Sequence, residues 1–260
     1  MKPLYALLIV ALFAAPHAVF AWGQNGHDAV AAIAEYNLTP KARATVEKYL
    51  GGRSIIYYST WMDHYRHTPE YKYTTQWHTA AVDDKFRHTD AVAREGGDAI
   101  TAVNKAILDL RDYKKLSDET VALNIRVLVH LLGDMHCPVH VKYTTIKTNF
   151  NVLINGKKVS YHSVWDGNVV DVHRWGYMEW MHQMNRLNKD QIAEVTAGAP
   201  RDWFHQTALD SRVIYDWVKP NAELNGTDYR DFLNKAAPLA ESQLQKAGYR
   251  LAKVLNDLFD

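Results

Sequence analysis

Residues 130–140, HLLGDMHCPVH, place three histidines and an aspartate within eleven positions. On a helix His130 and Asp134 stand four apart and leave one face, as two ligands of a single metal ion would. Pro138 has no amide to donate and crowds the preceding turn, so the helix should stop there and leave His140 on the following loop, free to face a different ion. His162 and Asp166, in YHSVWDGN, repeat the four-residue spacing. STWMDHYR adds Asp63 with Arg66 three residues on, and QWHTA adds His78. A single His-x3-Asp pair is more often capped or solvated than functional. Two such pairs in one chain point to more than one metal, and imidazole combined with carboxylate suits zinc.

A further pair of donors comes from the start of the chain. Lys2, the apolar run from Leu4 to Ala15, the break at Pro16 and the small residues Val19 and Ala21 form a signal peptide pattern over residues 1–21. The run is shorter than the roughly 20 apolar residues of a spanning helix. Cleavage before Trp22 implies a secreted or periplasmic protein and frees an α-amino group. That nitrogen and the Trp22 carbonyl oxygen can close a five-membered chelate ring, with His27 five residues downstream in WGQNGH. An α-amine titrates near 8, so a metal can displace its proton at neutral pH.

Thirteen histidines are many for 260 residues, while the formal net charge is only +1. That balance excludes a global basic field of the kind that dominates non-specific duplex binding, so any nucleic acid must be held locally. With one cysteine, Cys137, an exported chain has no internal disulfide and must rely on its core or on metal ions. No Gly/Ser/Pro-rich linker divides residues 22–260, which read as one domain.

The elements that must position these residues are mostly helices. HDAVAAIAEY, residues 27–36, has apolar positions at helical spacing, and TPKARATVEKYLGG starts with Thr39 as N-cap and Pro40 as first helical residue. Helices are also expected over about 97–111, 118–136, 188–195, 201–218 and 229–258. FNVLINGKKVSYH alternates around Asn155-Gly156, the pattern of a hairpin with a two-residue turn. His136 reads as a core residue or as one that orients a ligand through its other ring nitrogen. His64, His67, His88, His173, His182 and His205 take the ordinary surface or structural reading, and the tryptophans and tyrosines between 57 and 77 that of packing.

Taken in order, WGQNGH, WMDHYR, WHTA, HLLGDMHCPVH, HSVWD and QLQKAGYRLAKVLN resemble the trinuclear-zinc, single-strand-specific nucleases, which include fungal nucleases S-one and P-one and the plant bifunctional nucleases. The resemblance implies a mainly α, single-domain, multi-helix fold of the phospholipase C/nuclease P-one type, here with one small β-hairpin. It implies three zinc ions: one on Asp63, His78, His130 and Asp134, a second on His140, His162 and Asp166, and a third on Trp22 and His27, with Asp134 bridging to the first. It implies a monomer that hydrolyses single-stranded RNA and DNA to 5′-phosphate products and removes 3′-phosphates from nucleotides. Asp63, Asp134 and Arg66 would be catalytic, with Arg66 stabilising the transition state.

Three stretches depart from the family pattern. Thr79, Ala80 and Ala81 replace aromatic and aliphatic residues after the His78 motif, which removes an expected stacking ring. Lys147-Thr148-Asn149 stands for a Gly-Gly-Asn and keeps only Asn149, the candidate substrate-binding residue. Trp203, Phe204, His205, Gln206 and Thr207 replace a Trp-x-x-Glu-Ser. A zinc-dependent phospholipase C is the closest competing reading, and a non-catalytic zinc-binding protein a second one. The Arg66 context and the lack of an obvious apolar membrane-docking stretch favour the nuclease.

Overall fold

The computed structural model describes residues 22–260, and the leader expected over residues 1–21 lies outside them. In chain order the first helices are α1 (Gln24–Tyr36), α2 (Pro40–Tyr49) and α3 (Trp61–Tyr65), followed by strand β1 (Ala80–Val82), α4 (Ala99–Leu110) and α5 (Asp118–Asp134). Strands β2 (Val141–Tyr143), β3 (Asn151–Ile154) and β4 (Lys157–Ser160) precede α6 (Tyr161–Ser163), α7 (Tyr177–Met184), α8 (Lys189–Thr196), α9 (Pro200–Ser211) and α10 (Ile214–Trp217). A short strand, β5 (Glu223–Leu224), leads into α11 (Gly226–Phe259). The chain is a mainly α domain, as its helical periodicities imply.

Local chemistry accounts for the helix starts. The Thr39 hydroxyl accepts from the Ala42 amide, with Pro40 inside the first turn. Asp98 accepts from Ile100 and Thr101 at the start of α4 and also pairs with buried His88, 2.8 Å away. Burial raises the Asp98 pKa, but these hydrogen bonds outweigh it and hold the group at about 2. Ser117 caps α5, with Asp118 and Glu119 against its positive end.

α5 is the central element. From Val127 to Asp134 every residue is buried, the mark of a helix surrounded by protein, so His130 and Asp134 project into the interior rather than toward water. α11 lies along α1 so closely that a Cβ on Gly248 would stand 2.5 Å from the Ile33 side chain, which makes glycine a packing requirement there. The same helix bolts down His136. Arg250 Nη1 donates to His136 Nε2 at 2.7 Å, while His136 Nδ1 donates to the Leu132 carbonyl. Burial and the Arg250 charge keep that imidazole neutral, and its two nitrogens are used up in packing.

Several elements differ from the sequence reading. α5 ends at Asp134, and Pro138 instead opens a 3₁₀ turn, Pro138–His140, at a position where its missing amide costs nothing. The helix expected over 201–218 is α9 and α10 with a break around Val213. α7 has no counterpart in the sequence reading. Pro238 sits within α11, where it leaves the Asn234 carbonyl without its usual donor. The hairpin forms at Asn155-Gly156, both with positive φ as a type I′ turn requires, but it gains β5 as a parallel neighbour. β1 and β2 form a second, parallel ladder pairing Ala80 with Val141 and Val82 with Tyr143.

Candidate metal centre

The ladder of β1 and β2 ties the segment that follows His78 to the one that follows His140, so two distant stretches enter the interior side by side. α3 brings Asp63, α5 brings His130 and Asp134, the 3₁₀ turn brings His140, and α6 with the π-helical turn Val164–Asn168 brings His162 and Asp166. α1 contributes His27 one turn from its start.

Asp134 lies at the middle of this set. Its Oδ2 is 2.9 Å from His78 Nδ1 and 3.2 Å from His130 Nε2, and its Oδ1 is 3.4 Å from His27 Nε2 and 3.5 Å from His140 Nδ1. Asp63 closes the first group, 3.7 Å from His78 and 3.9 Å from His130. In the second group His140 Nε2 is 3.1 Å from His162 Nε2, and Asp166 is 3.9 Å from the former and 3.2 Å from the latter. Ligand atoms about 2 Å from a tetrahedral zinc are roughly 3.3 Å from one another, the scale of these separations. The His130 ring is held in place because its Nδ1 sits 2.7 Å from the Ser59 carbonyl, which aims Nε2 at the centre.

The donor set fits a cation on its polar-atom balance. Both ring nitrogens of His27, both oxygens of Asp63, His78 Nε2, Asp134 Oδ1, His140 Nδ1 and Asp166 Oδ2 are buried without hydrogen-bond partners. A protein interior seldom tolerates so many orphaned polar atoms unless something else satisfies them. Burial lowers the pKa of His78, takes His140 well down and pushes His162 to about 3, which leaves neutral imidazoles, the form that binds metal. Burial and the negative charges of Asp134 and Asp63 drive Asp166 well up, the signature of carboxylates awaiting a positive partner. For His130, burial is outweighed by Asp134 and Asp63, which raise it to about 9. Burial opposes ionisation of Asp134, yet His130 and His140 bring it well below the usual carboxylate range.

The remaining sequence candidates fall as follows. Trp22 is buried, and its indole donates to the Gly133 carbonyl at 3.0 Å. The next residue, Gly23, donates its amide to the Asp166 carbonyl, and a Cβ there would lie 2.7 Å from that oxygen. Arg66 caps α3 with Nη2 3.5 Å from Asp63 Oδ1 and a side chain 13% exposed. Asn149 is exposed on the loop between β2 and β3. Cys137 was read from sequence only as an unpaired thiol; its sulfur lies 3.7 Å from Asp166 Oδ1 and shares a potential metal-ligand group with His140 and Asp166. Burial and Asp166 push that thiol well up, against a hydrogen bond from the Trp22 backbone, so the first described residue touches the rim of the second group. The one sequence signal for Cys137 was its place three residues before His140.

Comparison with known proteins covers the whole described chain. The family model for S1/P1 nuclease matches residues 22–260. Nuclease S1 of Aspergillus oryzae is 23% identical over 91% of both chains. Nuclease P1 of Penicillium citrinum is 27% identical over 91% of this chain and 97% of its own. Endonuclease 2 of Arabidopsis thaliana is 23% identical over 95% of this chain and 93% of its own. A metal-competent His/Asp interior and a family match that spans it place this chain in the S1/P1 nuclease family.

Proposed function

We propose that the protein is a zinc-dependent endonuclease that cuts single-stranded RNA and DNA to 5′-phosphate products and also removes 3′-phosphates from nucleotides. The observation that carries this reading is the convergence of His27, Asp63, His78, His130, Asp134, His140, His162 and Asp166, with so many of their buried polar atoms left unpartnered. Asp63, His78, His130 and Asp134 would hold one zinc, and His140, His162 and Asp166 a second. The Trp22 amine and carbonyl with His27 would hold a third, shared through Asp134. Zinc bound there supplies Lewis acidity, polarising phosphate oxygens and easing the loss of a proton from water.

The protein's own groups do the rest. Arg66 offers a planar fork to the non-bridging phosphate oxygens and stabilises the charge that grows on them as phosphorus becomes five-coordinate. Water adds to phosphorus, the P–O3′ bond breaks, and the 3′ oxygen leaves with a proton, so the phosphate stays on the 5′ side. Recess explains the preference for single strands. Asp63, His130 and Asp134 are inaccessible, whereas the His162 side chain is 20% exposed, so a backbone must bend inward to reach them. A duplex resists that bend, and a single strand does not. Processing before Trp22 and action outside the cytoplasm as a monomer belong to the same reading; among the described residues no helix is long and apolar enough to cross a membrane.

Arg66→Ala is the test. Zinc content should stay as in the wild type while kcat on single-stranded RNA falls about 100-fold or more, the scale of losing one preorganised charge stabiliser. Unchanged turnover would remove Arg66 from the chemistry. Hydrolysis of phosphatidylcholine in place of polynucleotide would favour the phospholipase reading.

A further inference from the structure

The stripe of α5 that carries Asp134 and His130 runs on toward the helix start, past the metal centre. On that side a cavity of about 400 Å³ is lined by Arg53, Tyr57, Trp61, His64, Tyr65 and Arg126, and among the described residues no Asp or Glu lines it. Arg126 stands one turn before His130 on α5, and Trp61, His64 and Tyr65 flank Asp63 on α3. The Arg53 guanidinium lies 4.3 Å from the centroid of the Tyr57 ring, and that of Arg126 lies 4.6 Å from Tyr58 and 5.3 Å from Trp61. Arg126 Nε is buried without a hydrogen-bond partner.

The surrounding surface is aromatic and open. Tyr57 is 63%, Tyr65 45% and Tyr73 52% exposed. Trp61 stacks on Tyr65 at 5.0 Å and meets Tyr71 edge-on at 4.7 Å, while Tyr73 packs against Trp77, the neighbour of His78. Segment 57–78 thus carries these rings on the same stretch that holds Asp63, Arg66 and His78. Packing alone does not require three tyrosines this exposed. Cations without counter-charges beside open aromatic faces are the means by which proteins hold single strands: phosphates on the guanidinium groups, bases on the rings. With a net charge of only +1, attraction for a polyanion has to come from such a local patch.

We infer that this cavity is a second nucleotide-binding site, which anchors one unit of a single-stranded polynucleotide while another part of the same strand is cut at the metal centre. The Tyr57 ring stacks a base and Arg53 pairs with a phosphate. The inference rests on the nuclease reading, and its test separates the two. Tyr57→Ala and Arg53→Ala alter exposed side chains outside the metal centre, so folding, zinc content and cleavage of a dinucleotide, both of whose units flank the cut, should be unchanged.

On a 20-nucleotide single strand, KM should rise about tenfold in each variant with kcat unaltered, and Tyr57→Trp should restore it. The Kd of a 20-mer with phosphorothioate linkages, which slow hydrolysis, should lose salt dependence in Arg53→Ala by about 0.7 in the log–log slope, one phosphate contact. A 20-mer KM equal to wild type in both variants would overturn the inference and leave the nuclease reading standing. A parallel loss on the dinucleotide would also overturn it, because the effect would then come from the metal centre. Failure of the wild type to cut the 20-mer at all would defeat the nuclease reading instead.

Discussion

Asp134→Asn should lower nuclease activity by well over 100-fold and reduce the metal content by at least one ion per chain. The carboxylate stands within 3.5 Å of nitrogens on His27, His78, His130 and His140, so it touches all parts of the centre. Asparagine keeps the shape but removes the negative charge and one acceptor. Losing a hydrogen-bonding partner outside the metal ligands typically costs about 10- to 100-fold, and a carboxylate at the shared position should exceed that. Elemental analysis and steady-state kinetics measure both effects, with circular dichroism as the control for folding. Asp166→Asn tests the same idea at one edge, because Asp166 approaches only the His140/His162 group: it should lose activity while keeping the metal beside Asp63. Full zinc and near-normal turnover in Asp134→Asn would remove this residue from the centre.

The second large effect concerns the chain start. A protein that keeps even one residue before Trp22 should bind less than the full zinc complement and lose most of its activity. The reason is chemical: an α-amine has a lone pair that a metal can take at neutral pH, whereas a peptide nitrogen has none to give. Trp22 is buried with its indole fixed to Gly133 and Gly23 is held to the Asp166 carbonyl, so the amine of an added residue cannot slide into the same place. Comparison of chains starting at Trp22 and one residue earlier, by metal analysis and activity, decides the point. Equal zinc and equal activity would contradict the chelating role of the terminus.

What could be read from sequence divides along the range of the interactions. Helix starts at Thr39-Pro40 and the Asn155-Gly156 turn were legible because a few adjacent residues determine them. The β1–β2 ladder was not: three-residue strands pair Ala80 with Val141 through tertiary contact that no local pattern records. The same holds for the break between α9 and α10, where amphipathic spacing runs on although the backbone does not.

Within the centre, the His130/Asp134 and His162/Asp166 pairs follow from helical spacing. Asp63, His78 and His27 arrive beside them from three further parts of the chain; their residue types made them candidates, and only family likeness grouped them. The aromatic segment 57–77 was read as packing; exposure of Tyr57, Tyr65 and Tyr73 is a property of the folded surface that residue type alone could not give. His88, read as structural, and His136, read as a core or ligand-orienting residue, are held in the interior by Asp98 and Arg250.

The most direct measurement is a zinc titration of chelator-treated protein beginning at Trp22, with bound metal and cleavage of single-stranded RNA followed together. Uptake should saturate at three zinc ions per chain, and activity should be absent without zinc and complete only at saturation. Full activity in zinc-free protein, or saturation at a single ion with full activity, would contradict a hydrolytic centre built from these histidines and aspartates.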